Sequence, residues 1–344
     1  MHNDINRQWL LARRPDGIVR EDHFRFIEAP IPVPAEGQVL VRNLLLSADP
    51  HQRLLMSQDT VVPMMPLGEV VGAVGIGQVV ESRRSDYRPG ELVAGYFGWQ
   101  DYVATDGTEW VPMHKIPPGL QPNLALSLFG ITGLTAYFGV LDVGQVKAGD
   151  MFVVSGAAGA TGSIAGQIAK LKGCKVIGTT GGRAKCDWLT NELGFDGVID
   201  HRAENIGARL SALCPDGIDV FFDNVGGTVL NEALARLSLN GRVVLCGAIS
   251  SYNDTTLPAG PSNYFQLVLK RGRMEGFMVL DYARRFPEAI GTLASWHAEG
   301  KLKQKEDVAI GLENAPRTFA RLFTGDKLGK QLLTIADPPL ARVD

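Results

Sequence analysis

Ala157-Ala158-Gly159-Ala160-Thr161-Gly162 carry no side chain larger than that of threonine, and they follow the apolar run Met151 to Ser155 after one further glycine, Gly156. The pattern is G-x-G-x-x-G with alanine in the first place, which lets backbone N–H groups close on a diphosphate bridge without a Cβ in between. Gly159 would admit the pyrophosphate, and Gly162 would let the next helix pack closely on its strand. Ile164, Ile168 and Leu171 recur at helical spacing, Gly173 stops that helix, and Lys175 to Thr179 reads as a second buried strand. Strand, bare turn, amphipathic helix and strand in this order make a dinucleotide-binding βαβ unit, a far narrower signal than a glycine-rich turn alone.

A chain that selects the unphosphorylated dinucleotide usually places Asp or Glu about twenty residues on, to bond the ribose 2′-hydroxyl. Here that corner reads Thr179-Thr180-Gly181-Gly182-Arg183-Ala184-Lys185, with no acid and two cations. Each charge-assisted bond to a 2′-phosphate contributes about 1.5–3 kcal/mol, so one contact shifts the NADPH to NADH ratio by about tenfold or more. The corner therefore implies NADPH. The plainer reading of either Arg183 or Lys185 is a solvated surface charge.

These residues need a scaffold, and the remaining sequence describes one. Beyond the opening unit, strand candidates Gly197 to Asp200, Ile218 to Asp223, Arg242 to Cys246 and Arg273 to Leu280 alternate with helices. Alternation of that kind calls for a doubly wound parallel sheet in the order 3-2-1-4-5-6, with ligands beyond the carboxyl ends of the strands. That places Asn224-Val225-Gly226-Gly227 and Gly247-Ala248-Ile249-Ser250-Ser251-Tyr252 at the cofactor. From Gln8 to about Leu120 the chain reads instead as short strands broken by Pro and Gly: Ile18 to Val19, Phe24 to Ile27, Val39 to Leu46, Val70 to Val80 and Leu92 to Tyr96. Ala125 to Leu141 reads as a helix. The tail has a helix at Ala315 to Leu322 and an apolar run at Gln331 to Ile335, and is expected to rejoin the β-rich part. The expected domains are 1–125 with 306–344, and 126–305.

Composition narrows the function classes. With 344 residues and 45% hydrophobic content there is core enough for two domains, and a net charge of −3 leaves no basic field for nucleic acid or an acidic membrane. Met1 to Pro15 is polar with Arg7, Arg13 and Arg14 and has no apolar core, so a cytoplasmic location is expected. Cys174, Cys186, Cys214 and Cys246 lie at wide, irregular spacing, as reduced thiols do, and no metal site is implied.

Nearly the whole chain resembles the zinc-independent branch of the medium-chain dehydrogenase/reductase superfamily that holds NADPH-dependent alkenal and enone reductases. The resemblance rests on Asn6-Arg7-Gln8-Trp9, Glu28-Ala29-Pro30, Ser47-Ala48-Asp49-Pro50, Gly133-Leu134-Thr135-Ala136-Tyr137, Ala157 through Gly162, Phe222 through Gly227, Cys246 through Ser250 with Tyr252, Arg273 through Phe277, and Leu328-Gly329-Lys330. It implies a GroES-like β-rich domain beside a Rossmann domain. It implies that Gly159, Ala160, Thr161 and Gly162 hold the pyrophosphate and Lys185 the 2′-phosphate, with Gly181 and His201 at the same corner. Asn224 and the loop Cys246 to Tyr252 (Cys246, Gly247, Ala248, Ile249, Ser250) would flank the nicotinamide half, and Phe277, Met278 and Val279 would lie along the cofactor. It also implies a homodimer joined through the last sheet strand. Zinc enzymes of the superfamily have Cys and His where this chain has Ser47 and Gly68.

Departures fall on other positions. His51, Val61, His201 and Lys327 stand where the family usually has tyrosine, tyrosine, tyrosine and asparagine. The implied reaction is hydride transfer to the β-carbon of an α,β-unsaturated aldehyde or ketone. Tyr252, Tyr264 and His51 are candidates for the donor to the enolate oxygen or for a proton relay, with solvent as the other source. Met56, Met64 and Met65 suit an adaptable pocket or ordinary core packing. A quinone oxidoreductase of the same superfamily and a non-catalytic NADPH-binding protein are the alternatives.

Overall fold

A computed structural model describes residues 5–256 and 258–336. The outermost parts of the expected first domain, 1–4 and 337–344, lie outside the described residues. The chain divides into two units, one with the residues up to Leu126, Glu306–Lys327 and Gln331 onward, the other with Ser127–Lys305 and Leu328–Lys330.

The first unit is β-rich. Strands β1 (Ile5–Leu11) and β2 (Phe24–Pro30) form an antiparallel pair. Strands β3 (Val39–Ser47), β4 (Val74–Ser82), β5 (Leu92–Tyr96), β6 (Tyr102–Thr105) and β7 (His114–Lys115) make the centre of a second sheet. The tail contributes β14 (Glu306–Ile310) and β15 (Lys330–Thr334) to it, in the order β14-β15-β3-β4-β5-β7 with β6 on β3. A core of Trp9, Leu46, Met56, Trp99 and Phe319 closes one face, and the buried Trp9 indole N–H donates to the Leu312 carbonyl at 2.8 Å.

The second unit is a six-stranded sheet of β8 (Met151–Val154), β9 (Lys175–Thr180), β10 (Gly197–Asp200), β11 (Ile218–Asp223), β12 (Leu237–Leu245) and β13 (Arg273–Gly276). Its order, β10-β9-β8-β11-β12-β13, is the 3-2-1-4-5-6 arrangement, with all five neighbouring pairs parallel. Val153, Ile177, Phe221 and Val243 at its centre are almost fully buried, as helix-covered parallel strands require. Among the described residues no helix is long and apolar enough to cross a membrane.

Tertiary contacts redraw several boundaries. Ile18 and Val19 form no strand, because Gly17 sits at φ +135° and the carbonyls of Pro15 and Gly17 accept from the buried Arg53 guanidinium at 3.1 Å each. The run from Val70 joins its sheet only at Val74, since Val71 donates its amide to Trp9 and Val70 bridges Leu10. The helix expected over Ala125 to Leu141 is broken into Pro122–Leu126, Ile131–Phe138 and a widened turn Gly139–Val143. A methyl on Gly133 would lie 1.8 Å from the Leu128 carbonyl oxygen, so the chain doubles back too closely for one continuous helix. The strand expected from Arg273 to Leu280 ends at Gly276. Tyr282 stacks on Phe138 with ring centroids 4.5 Å apart, within the helical turn Val279–Arg285 that follows. The strand expected from Arg242 instead starts at Leu237 and runs to Leu245.

Candidate cofactor site

The bare turn lies where β8 gives way to the helix Ala160–Leu171. Gly156 makes the reversal, at φ +59°, one residue before the alanine that occupies the motif's first place. The Gly159 amide donates back to the Gly156 carbonyl at 2.9 Å, and the Ala157 amide to the Thr179 carbonyl at 2.9 Å. Ala157 can occupy its position because Gly178 faces it, where an added methyl would come within 2.8 Å of the Ala157 methyl. Gly159 is the helix N-cap and no side chain caps the helix, so its first-turn N–H groups keep the capacity to bind an anion. At Gly162 a methyl would meet the Gly156 carbonyl oxygen at 2.5 Å, which is the close packing expected of the last glycine.

Two braces fix this turn, and the sequence assigned no role to Gly329, Ser155 or Asp223 in them. Gly329, at φ +74°, donates its amide to the Ala158 carbonyl at 2.9 Å, and a methyl there would lie 1.9 Å from the Lys305 carbonyl oxygen. The second brace joins the ends of β8 and β11, the strands between which the sheet order reverses. Ser155 Oγ donates to Asp223 at 2.7 Å and accepts from the Asn224 amide at 2.8 Å, while Asn224 Nδ2 donates to the Ser155 carbonyl at 2.7 Å. The fully buried Asp223 carboxyl also accepts from the amides of Val225 and Gly226, both at 3.0 Å. Burial pushes its pKa above the usual carboxylate range, against the pull of those bonds.

The loop after β12 is tied to the same corner. The amides of Cys246 and Gly247 donate to the Asp223 carbonyl at 2.9 and 3.0 Å, and Ser250 Oγ donates to the Val225 carbonyl at 2.6 Å. Tyr252 closes the loop, its phenol oxygen accepting from the Ala248 amide at 3.1 Å. Burial raises the pKa of that phenol, so at neutral pH it is a hydrogen-bond donor and a poor source of a free proton. Burial, with Asp223 nearby, pushes the Cys246 thiol up to about 12, which leaves it without nucleophilic thiolate.

The corner after β9 has a different character. Gly182 sits at φ +95° and heads the short helix Arg183–Asp187. The Arg183 side chain is 89% exposed and pairs with Asp187 at 3.5 Å, whereas Lys185 is half-buried. A methyl on Gly181 would lie 3.0 Å from His201 Nε2 and 2.9 Å from Arg202 Nε, so two side chains of the loop after β10 border it. The Asp200 carboxylate accepts from the amides of Gly182 and Arg202 at 3.0 Å each. Those bonds hold its pKa below the usual range. Arg202 drew no attention as sequence, because nothing in its spacing relates it to a turn on another strand.

The other predicted residues lie apart in character. The Phe277 ring would touch a methyl on Gly139 at 2.8 Å, Met278 is exposed and Val279 is buried. Tyr264 is 63% exposed, next to Phe265 at 59%. His51 belongs to the β-rich unit, at the start of the helix His51–Leu55, with its ring edge-on to Trp110 at 5.6 Å. Trp110 also meets Tyr96 at 5.3 Å, and burial pushes the Tyr96 phenol up to about 12. Of the three methionines, Met56 and Met65 are buried core residues and Met64 is 40% exposed. A zinc ion has no suitable donors at the positions zinc enzymes use: Ser47 donates to the Asp49 carboxylate and Gly68 has no side chain. Among the described residues no group of three or more His, Cys, Asp and Glu side chains could hold a metal ion.

Comparison with known proteins agrees with this architecture. A family described as the N-terminal domain of oxidoreductase matches residues 7–113, and one described as zinc-binding dehydrogenase matches 160–295. The NADPH-dependent curcumin reductase of Escherichia coli (strain K12) is 41% identical over 337 residues, which covers 96% of this chain and 97% of the relative. Prostaglandin reductase 1 of Rattus norvegicus is 36% identical, covering 95% of this chain and 98% of its own. The crystal structure of CurA in complex with NADPH from Vibrio vulnificus superimposes with a TM-score of 0.91 at 40% identity, covering 96% of this chain and 100% of that one. The chain belongs to the zinc-independent branch of the medium-chain dehydrogenase/reductase superfamily that contains the NADPH-dependent enone reductases.

Proposed function

We propose that this protein uses NADPH to reduce the carbon–carbon double bond of α,β-unsaturated ketones and aldehydes. The observation that carries the reading is the pair of features at the ends of β8 and β9: a turn without side chains at a helix start, then a cationic corner bordering a glycine. The names of the similar proteins support it, since they are reductases of curcumin and prostaglandin. Bound NADPH supplies a hydride, which goes to the β-carbon.

The chain supplies position and polarity. First-turn amides of Ala160, Thr161 and Gly162 hold the pyrophosphate, with Gly159 leaving room at the helix cap, and Lys185 and His201, with Arg183 at the rim, meet the 2′-phosphate beside Gly181. Asn224, the Cys246–Tyr252 loop and the backbone of Phe277, Met278 and Val279 border the nicotinamide half. The Tyr252 hydroxyl donates to the developing enolate oxygen, where a held dipole lowers the barrier, while water protonates the α-carbon. Tyr264 and His51 are the other candidates for that donor. Two copies pair through β13, the last strand of its sheet, near the exposed Phe265, Val268 and Leu269, and the enzyme works in the cytoplasm.

An absorbance assay of NADPH consumption with 2-alkenals, enones, quinones and saturated aldehydes tests this reading. Turnover is expected with alkenals and enones and not with saturated aldehydes. Consumption with quinones alone would reassign the substrate, and tight binding without any turnover would leave a binding protein.

A further inference from the structure

Among the described residues at the Gly181 corner, His201 is the one whose charge can change near neutral pH. Its place is set by the sheet: its amide donates to the Thr180 carbonyl at 2.9 Å, extending the parallel pairing of Asp200 with Thr180. The ring comes within 2.9 Å of where a Gly181 methyl would stand, and the Arg202 guanidinium equally close. The charged groups acting on the ring are Asp200 and Arg202 on its own loop and Lys185 on the helix after β9. Asp200 is engaged by two amides, and Glu204, which accepts from the Asp200 amide at 2.9 Å, pairs with Arg209 at 2.6 Å. A tyrosine in this place could offer a hydrogen bond and no charge; an imidazole can offer both.

Resting on the NADPH reading above, we propose that a 2′-phosphate bound at Gly181 draws a proton from water onto His201, so that preference for the phosphorylated dinucleotide strengthens as pH falls. His201 is an exposed residue, and in the ligand-free protein partial desolvation of its ring, with the cations Arg202 and Lys185, lowers its pKa and so favours the neutral imidazole at pH 7. A dianion in contact reverses that balance. Binding and proton uptake are then linked, and each unit by which the ligand raises the His201 pKa strengthens binding by about tenfold at low pH.

The test is titration calorimetry of the full-length protein with NADP⁺ and NAD⁺ in buffers of different ionisation enthalpy, from pH 7.0 to 8.5. Phosphate monoesters lose their second proton near about pH 6, so over this range the ligand's own charge is constant. The native protein is expected to take up a fraction of a proton with NADP⁺ beyond that with NAD⁺, and its NADP⁺ affinity to fall about threefold or more across the range. H201Q should lose both effects. H201R, charged throughout, should keep tight NADP⁺ binding with no pH slope. Equal uptake in H201Q, or saturable NADP⁺ binding by the native protein without extra uptake, overturns the proposal and leaves the cofactor reading standing. Absence of saturable NADP⁺ binding at every pH overturns both.

Discussion

The two corners of the parallel sheet that face the proposed cofactor are built on opposite principles. At the ends of β8 and β11, glycines, backbone amides and one buried carboxyl interlock, and no charged side chain is offered outward. At the ends of β9 and β10 the working groups are long or aromatic side chains around a buried glycine. On the proposed reading the first corner serves any dinucleotide and tolerates almost no change, because its neighbours are backbone atoms. The second can discriminate and can vary, because its neighbours move.

Substitutions of comparable size should separate the corners. Gly162→Ala sets a methyl 2.5 Å from the Gly156 carbonyl oxygen and 3.0 Å from the Ala157 Cα. Forcing helix and turn apart costs about 3 kcal/mol, so binding of NADPH and NADH should both fall by about a hundredfold, measured by fluorescence titration. Asp223→Ala strands the hydroxyl of Ser155 and the amides of Val225 and Gly226. Loss of about 2–4 kcal/mol in denaturant unfolding is expected, and a loss near zero would deny the knot its role.

The second corner should answer differently. Lys185→Ala should raise the apparent Michaelis constant for NADPH by about tenfold and leave that for NADH nearly unchanged; equal effects on both would remove Lys185 from the site. Gly181→Ala should fold normally, since the added methyl meets only the ends of His201 and Arg202, yet lower the NADPH to NADH preference by about threefold to tenfold. A change as damaging to both cofactors as Gly162→Ala would erase the distinction between the corners. Arg183→Ala should be the mildest, under about twofold in either constant, because that side chain is solvated and screened.

Much of the second unit is legible along the chain. The βαβ unit from Met151 to Thr180, the alternation of elements and the strand order follow from apolar runs and turn residues, because a parallel strand and its covering helix each leave a local pattern. The rest of the chain reads less well. Val70 and Val71 look like the start of β4 but pair with β1, and the helix after Ala125 breaks where Leu128 approaches Gly133. Both outcomes depend on partners far away in sequence or on backbone closeness that no periodicity records.

From composition and spacing alone came the class of cofactor turn, its bare backbone and the missing acid beyond it, since these depend on residue types a few positions apart. Only the folded chain could show that Gly156 rather than the motif's first position makes the reversal, that Gly329 braces the turn, and that Arg202 joins His201 beside Gly181. Those facts depend on two strands lying side by side, and hydrogen bonding between strands joins residues that chain distance keeps apart.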